Sequence, residues 1–117
     1  MSVTIYGIKN CDTMKKAFTW LQQHGQAYDF HDYREKGIDA ETIRGWVGRI
    51  GLDKVLNKAS TTFKELPAEA KAGLDEARAI ALMQANPTMI KRPMLVRGDA
   101  VMAGFKPDLY ADFFRQG

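Results

Sequence analysis

The spacing of apolar residues along the chain changes period several times, and each change predicts a new element. In "SVTIYGI" (Ser2 to Ile8), Val3, Ile5 and Gly7 alternate with Thr4, Tyr6 and Ile8. The alternation and its β-branched content predict a strand buried on both faces, its end directed at Cys11. From Asp12 to His24 the period becomes helical: Met14, Ala17, Phe18 and Leu21 fall at i, i+3, i+4 and i+7, and Gly25 supplies a C-terminal stop. "AYDFHDYR" (Ala27 to Arg34) is aromatic and alternating, which predicts a second strand. A strand, helix and strand with short links form a βαβ unit with parallel strands.

Residues 35–87 read as helical throughout, with no strand signal. Asp39 is placed to cap a helix in which Ile43, Trp46, Val47 and Ile50 repeat at helical spacing up to Gly51. Thr62 and Glu65 have the capping-box spacing for a short helix that Pro67 interrupts, and a longer alanine-rich helix is expected from about Leu74 to Ala85. The pattern then returns to strands. "PMLVRGDAVMAGF" carries two apolar runs, Met94 to Val96 and Ala100 to Ala103, around the turn formers Gly98 and Asp99, so an antiparallel hairpin is expected. Pro107 suits the first turn of a closing helix with Leu109, Tyr110, Phe113 and Phe114 facing inward. The order β-α-β, helices, β-β-α is that of an α/β protein with a thioredoxin-like sheet and an inserted helical region.

Length and composition narrow the picture. A chain of 117 residues suits one domain, here 1–117 with the helical insertion at about 35–87. Apolar residues at 45% and charged residues at 26% are ordinary for a globular protein and argue against disorder. "MSVTIYG" has no basic segment leading into a long apolar run, and no stretch approaches the roughly 18 apolar residues of a membrane span. The expectation is a cytoplasmic protein, monomeric, with no membrane partner. The net charge of +3 is spread over the chain, which favours an anionic small ligand over a nucleic-acid partner. One cysteine and two separated histidines give no metal-site spacing, so no metal is expected.

The one cysteine carries the candidate chemistry. Cys11 cannot make an internal disulfide, which fits a reducing compartment. It lies where a strand ends and a helix begins, a place where unpaired N–H groups and the helix dipole favour an anion. Lys9 and Lys15 add positive potential, Asn10, Asp12 and Thr13 make the surroundings polar, and the Asp12 carboxylate opposes a thiolate. A free thiol near pKa 8.5 is only about 3% thiolate at pH 7, so such surroundings decide reactivity. Two readings stand at this level, a reactive thiol or a small residue in a loop; the polar context "KNCDT" favours the first. Thr13 is a candidate to cap the helix or to hydrogen-bond the sulfur. The aromatics Phe18, Trp20, Trp46 and Phe63 sit at helical spacing and are expected in the core, and His24 is expected at the surface of a helix C-terminus.

"YGIKNCDTMKKAFTWL", followed by "IKRPMLV" and "GFKPD", resembles the arsenate-reductase-like (ArsC/Spx) family over about residues 3–115, and in particular its YffB-type branch of glutathione-dependent thiol reductases. The resemblance implies a thioredoxin-like fold with a helical insertion and a nucleophile at Cys11. It also implies an anion-binding arginine at Arg92 and a cis-proline facing the site at Pro93. Read alone, Pro93 is a strand-initiating proline and Lys91 and Arg92 are solvated charges. The resemblance places Lys9, Asn10, Thr13, Lys15, Lys91, Pro93 and Lys106 around a substrate.

The chain also departs from the family pattern. Asn57 and Lys106 stand where the family's arsenate reductases carry two further arginines, and Gly7, Met14 and Lys15 stand where they carry histidine, serine and arginine. A multiply charged oxyanion needs several bidentate donors, so arsenate reduction is disfavoured. Spx-type regulators use a Cys-x-x-Cys switch, whereas here the fourth residue is Met14. The reading that follows is a glutathione-dependent thiol-disulfide oxidoreductase. Cys11 and Arg92 are its catalytic residues, no cofactor is bound, glutathione is the co-substrate, and the partner is a disulfide or oxidised-sulfur substrate. The alternative is a non-catalytic Spx-like interaction or regulatory protein.

Overall fold

β1 spans Val3–Gly7 in a computed structural model that describes residues 3–9 and 11–115. Val3, Ile5 and Gly7 are buried while Thr4 and Tyr6 are half-buried, so one face is fully covered and the other only in part, less than the two-sided burial its sequence predicts. Helix α1, Asp12–Gln23, follows and buries Met14, Ala17, Trp20 and Leu21. Gly25 adopts a left-handed φ of 66° just past the helix, the conformation that ends it. β2 is Asp29–Asp32, shorter than the run Ala27–Arg34 that alternation predicts. At Tyr33 the backbone turns into a short helix, α2, Tyr33–Lys36, and Asp32 Oδ1 accepts the Arg34 N–H at 2.9 Å. That local bond gives the chain an alternative to strand pairing.

The chain before Gly37 and the chain from Arg92 onward make one unit; Gly37–Lys91 makes another. The first contains the whole sheet, ordered β2-β1-β3-β4, with β3 at Met94–Arg97 and β4 at Ala100–Ala103. β1 runs parallel to β2 and antiparallel to β3, and β3 pairs antiparallel with β4 as the expected hairpin. Val3, Ile5 and Leu95 face one side of the sheet and pack with Met14, Ala17, Trp20 and Leu21 of α1. The C-terminal helix, Pro107–Arg115, adds Tyr110 and Phe113 to this core. Burying a side chain such as Leu21 contributes about 1.5–3 kcal/mol. Leu109 of the same helix is 48% exposed, against its expected inward orientation. It comes one residue before Tyr110, which takes the core site.

The second unit is helical, and its elements are α3 (Ala40–Ile50), α4 (Leu52–Val55), α5 (Thr61–Lys64), α6 (Ala68–Ala72), α7 (Glu76–Ala85) and a 3-10 turn at Pro87–Met89. The closing helix of the first unit is therefore α8. Asp39 caps α3 by accepting the Thr42 N–H at 2.7 Å, as its position predicts. Around α5 the cap differs from expectation: Ser60, not Thr62, accepts the Phe63 N–H, at 3.1 Å. Thr62 instead pairs its hydroxyl with that of Thr88 at 2.8 Å. α7 begins at Glu76, with Asp75 accepting the Arg78 N–H at 2.8 Å, so Leu74 lies outside it. Ile43, Trp46, Val47, Val55, Ile80, Met83 and Ile90 are buried in this unit, whereas Phe63 is only half-buried, with Lys71 Nζ 5.5 Å over its ring. Leu56 and Ile90 form an isolated antiparallel bridge, a strand-like contact in a block whose sequence carries no strand signal.

Candidate active site

The register of the sheet decides which loops meet. Gly7 at the end of β1 stands opposite Asp32, Tyr6 stands opposite Met94 at the start of β3, and Met94 stands opposite Ala103 at the end of β4. Four chain segments therefore emerge at one end of the sheet: the one leading to Cys11, the one holding Tyr33, the one arriving through Arg92 and Pro93, and the one leaving toward Lys106. A backbone bond from the Gly104 N–H to the Pro93 carbonyl, 2.8 Å, ties the last two together.

Cys11 occupies the N-cap position of α1, with extended φ of −126° and ψ of 129°. Its carbonyl accepts the Lys15 N–H at 3.0 Å, and no side chain caps the helix. The capping role expected of Thr13 is therefore absent. Thr13 sits inside the first turn, one residue past the helix start, where its own N–H is among the unpaired donors. Cys11 is half-buried and packs at the edge of the apolar core, a position open enough to react yet walled on one side.

The Arg92–Pro93 peptide is cis and Pro93 is buried. Arg92 is half-buried, and its charge reaches the phenol of Tyr33. Burial, together with the Tyr6 phenol, pushes Tyr33 well above its usual pKa, and the Arg92 guanidinium pulls the other way. The Tyr33 hydroxyl is buried without a hydrogen-bond partner. Tyr33 was not among the sequence candidates; the aromatic alternation of "FHDYR" hid it as a strand residue. Its ring lies 6.3 Å from that of Tyr6 and 6.1 Å from that of His31.

The remaining candidates are spread differently. Lys9 is exposed in the loop before the cysteine, Asn10 lies outside the described residues, and Lys106 is exposed just before α8, its carbonyl accepting the Tyr110 N–H at 3.0 Å. Lys15 is exposed on α1 and borders an open groove of about 340 Å³ with Trp20 and Phe105. Lys91 belongs to the helical unit, where its N–H donates to the Val55 carbonyl at 2.8 Å. Asn57, at one of the positions where the resemblance expects an arginine, uses its Oδ1 to accept the Ala59 N–H at 3.1 Å. That side chain holds a local turn and carries no charge for an oxyanion. Among the described residues no three His, Cys, Asp or Glu side chains are grouped to hold a metal, and no helix is long and apolar enough to cross a membrane.

A four-stranded α/β sheet, a cysteine at the head of its first helix and a buried cis-proline at the same end define a thioredoxin-like protein with an inserted helical unit. Within that class the chain belongs to the ArsC family, whose family model matches residues 6–113. The solved structure of a YffB protein is 57% identical, with 95% of this chain and 97% of that chain covered and a TM-score of 0.91. An arsenate reductase (ArsC) related protein from Brucella melitensis is 51% identical, with 98% and 96% covered and a TM-score of 0.77. The global transcriptional regulator Spx of Listeria monocytogenes is 24% identical over 91% of this chain and 82% of its own length.

Proposed function

We propose that the protein is a glutathione-dependent monothiol oxidoreductase acting in the reducing cytoplasm as a monomer. The observation that carries this reading is the placement of Cys11. It is the N-cap of α1, half-buried, at the end of the sheet where the cis-proline and Arg92 enter. The unpaired amides of the first turn stabilise an anion at that position.

The chemistry runs in two displacements. The Cys11 thiolate attacks the glutathione sulfur of a glutathionylated substrate, forming a Cys11–glutathione disulfide and releasing the substrate thiolate, which takes a proton. With a single cysteine in the chain, resolution comes from outside. A second glutathione thiolate attacks the mixed disulfide, giving oxidised glutathione and restoring the Cys11 thiolate. Two glutathione sulfurs are joined and one substrate disulfide is reduced, so the electrons balance. Arg92 supplies a fork for a glutathione carboxylate, and Lys9 and Lys106 add positive charge around it. Lys106 is a point charge, not a bidentate fork, which leaves Arg92 as a lone fork for arsenate.

The test is glutathione-driven reduction of a glutathionylated peptide by the wild type and by Cys11→Ser, with arsenate in parallel. Turnover that vanishes in the variant supports the reading. A rate no greater than that of free glutathione in both proteins refutes it. The similarity to Spx favours a second reading, a regulatory protein that works through binding; stable capture of a protein partner by Cys11→Ser, without any exchange activity in the wild type, would establish it.

A further inference from the structure

A groove of about 340 Å³ lies along the exposed side of α1, lined by Lys15, Lys16, Thr19, Trp20, Gln23 and Phe105. Three of these residues continue a row that starts at the nucleophile. Cys11, Lys15, Thr19 and Gln23 follow one another at intervals of four, the spacing that stacks side chains into a ridge along one helix face. The Lys15 N–H bonds the Cys11 carbonyl and the Thr19 hydroxyl bonds the Lys15 carbonyl at 2.9 Å, so the row is continuous in hydrogen bonds as well. Phe105 joins it from the other side. It follows Gly104, which is bonded to the carbonyl of the cis-proline, and its ring is held edge-on to Tyr110 at 4.7 Å.

The groove is thus amphipathic and graded: two lysines nearest the thiol, then a floor of Trp20 and Phe105, then neutral polar Thr19 and Gln23 along its side. An occupant that reacts must reach from the thiol along the groove. At about 1.5 Å per residue, the groove residues Lys15 to Gln23 extend roughly 12 Å, and the row traced back to Cys11 extends roughly 18 Å. Glutathione, with three residues, reaches about 10 Å when extended, whereas a strand of five residues reaches about 17 Å. The charge selects further, because the groove is lined by two cations and no carboxylate.

We propose that this groove docks the protein substrate, receiving an acidic segment with one large apolar side chain beside the glutathionylated cysteine from which Cys11 takes the glutathione. The proposal rests on the thiol-exchange reading of Cys11 and names the substrate class for it. The acidic residues sit against Lys15 and Lys16, and the apolar side chain lies on Trp20 and Phe105. Glutathione, once transferred to Cys11, leaves the groove free for the next segment.

The experiment uses two labelled peptides, each with one glutathionylated cysteine followed by a phenylalanine flanked by glutamates in one and by lysines in the other. Affinity is read by fluorescence anisotropy with Cys11→Ser, and exchange is read with the wild type. A small neutral disulfide, hydroxyethyl disulfide, serves as the reference substrate. The acidic peptide is expected to bind and react about tenfold better than the basic one, with the advantage shrinking as salt rises. Lys16→Glu should reverse the ranking, and Phe105→Ala should weaken both peptides about fivefold while preserving it. Equal affinities for the two peptides in the unsubstituted groove, or a ranking untouched by Lys16→Glu, overturn the docking surface; exchange with hydroxyethyl disulfide then leaves the thiol chemistry standing. Selective binding without exchange on any disulfide removes the chemistry and keeps the surface. Absence of both removes both.

Discussion

Gly7 and Met14 compete for one volume: a Cβ built on Gly7 would lie 2.7 Å from Met14 Cε, and closer still to its sulfur. Met14 is fully buried, so its thioether has little room to retreat. These are two of the positions at which the sequence departs from the arsenate reductases it resembles, and the contact makes them one departure. A side chain at position 7 forces the end of the methionine at position 14 to shift.

Gly7→Ala should therefore destabilise the protein by about 1–3 kcal/mol in urea denaturation, the usual range for overpacking. Met14→Ala should cost about 2–5 kcal/mol through the cavity it leaves. In the double variant the alanine at 7 fills part of that cavity, and the coupling should exceed about 1 kcal/mol. Additivity within about 0.5 kcal/mol would show that the two sites do not share space.

The buried phenols set an alkaline limit on stability. Burial pushes the Tyr110 phenol far above its ordinary value, and burial raises Tyr33 as well. Both folded-state values lie above the unfolded one, so the contribution is fully present below about pH 10 and is lost as pH rises from there through the folded values. Above pH 10 the unfolded chain releases these protons and the folded protein holds them. Stability should then fall by up to about 1.4 kcal/mol per pH unit for each tyrosine. Tyr110→Phe should reduce that slope by one proton. It should also be nearly neutral at pH 7, because the hydroxyl has no hydrogen-bond partner to lose. An unchanged slope in denaturation between pH 10 and 11 would contradict the assignment.

How far the sequence reveals the fold depends on whether one signal or several compete. α1 and the β3–β4 hairpin are legible because period, turn residues and stops agree. β2 is shorter than its alternation because the Asp32 carboxylate bonds the Arg34 amide, a choice that hydrophobic pattern does not encode. The cap of α5 departs from the sequence spacing for a similar reason: Ser60 and Thr62 both fit an N-cap, and the Thr88 hydroxyl, 26 residues away, engages Thr62. In the site, Cys11 is visible from its polar context, whereas Arg92 and Pro93 gain meaning through the family motif. Tyr33 and the groove along α1 depend on long-range register and loop placement that no local pattern carries.

The caps in the helical unit offer a test of those local bonds. Asp75 satisfies the Arg78 amide at the head of α7, whose Ala79, Ile80 and Met83 are buried. Asp75→Ala should lower stability by about 1 kcal/mol, and Asp75→Asn by much less, since asparagine caps equally well. Equal losses in thermal unfolding would assign the effect to charge rather than to the cap.

Arg92 tests the proposed chemistry most directly. If it holds a carboxylate of glutathione, its planar fork matters as well as its charge, and Arg92→Lys should lower kcat/KM with glutathione by about tenfold. Arg92→Ala should cost more, up to roughly a hundredfold, while a neutral thiol such as dithiothreitol should lose far less. The same variant removes the charge that restrains Tyr33, so the alkaline destabilisation that Tyr33 contributes should grow in Arg92→Ala. Glutathione and dithiothreitol reduced in the same proportion would assign Arg92 to the thiolate itself. Wild-type exchange with glutathione in Arg92→Ala would remove this residue from the mechanism.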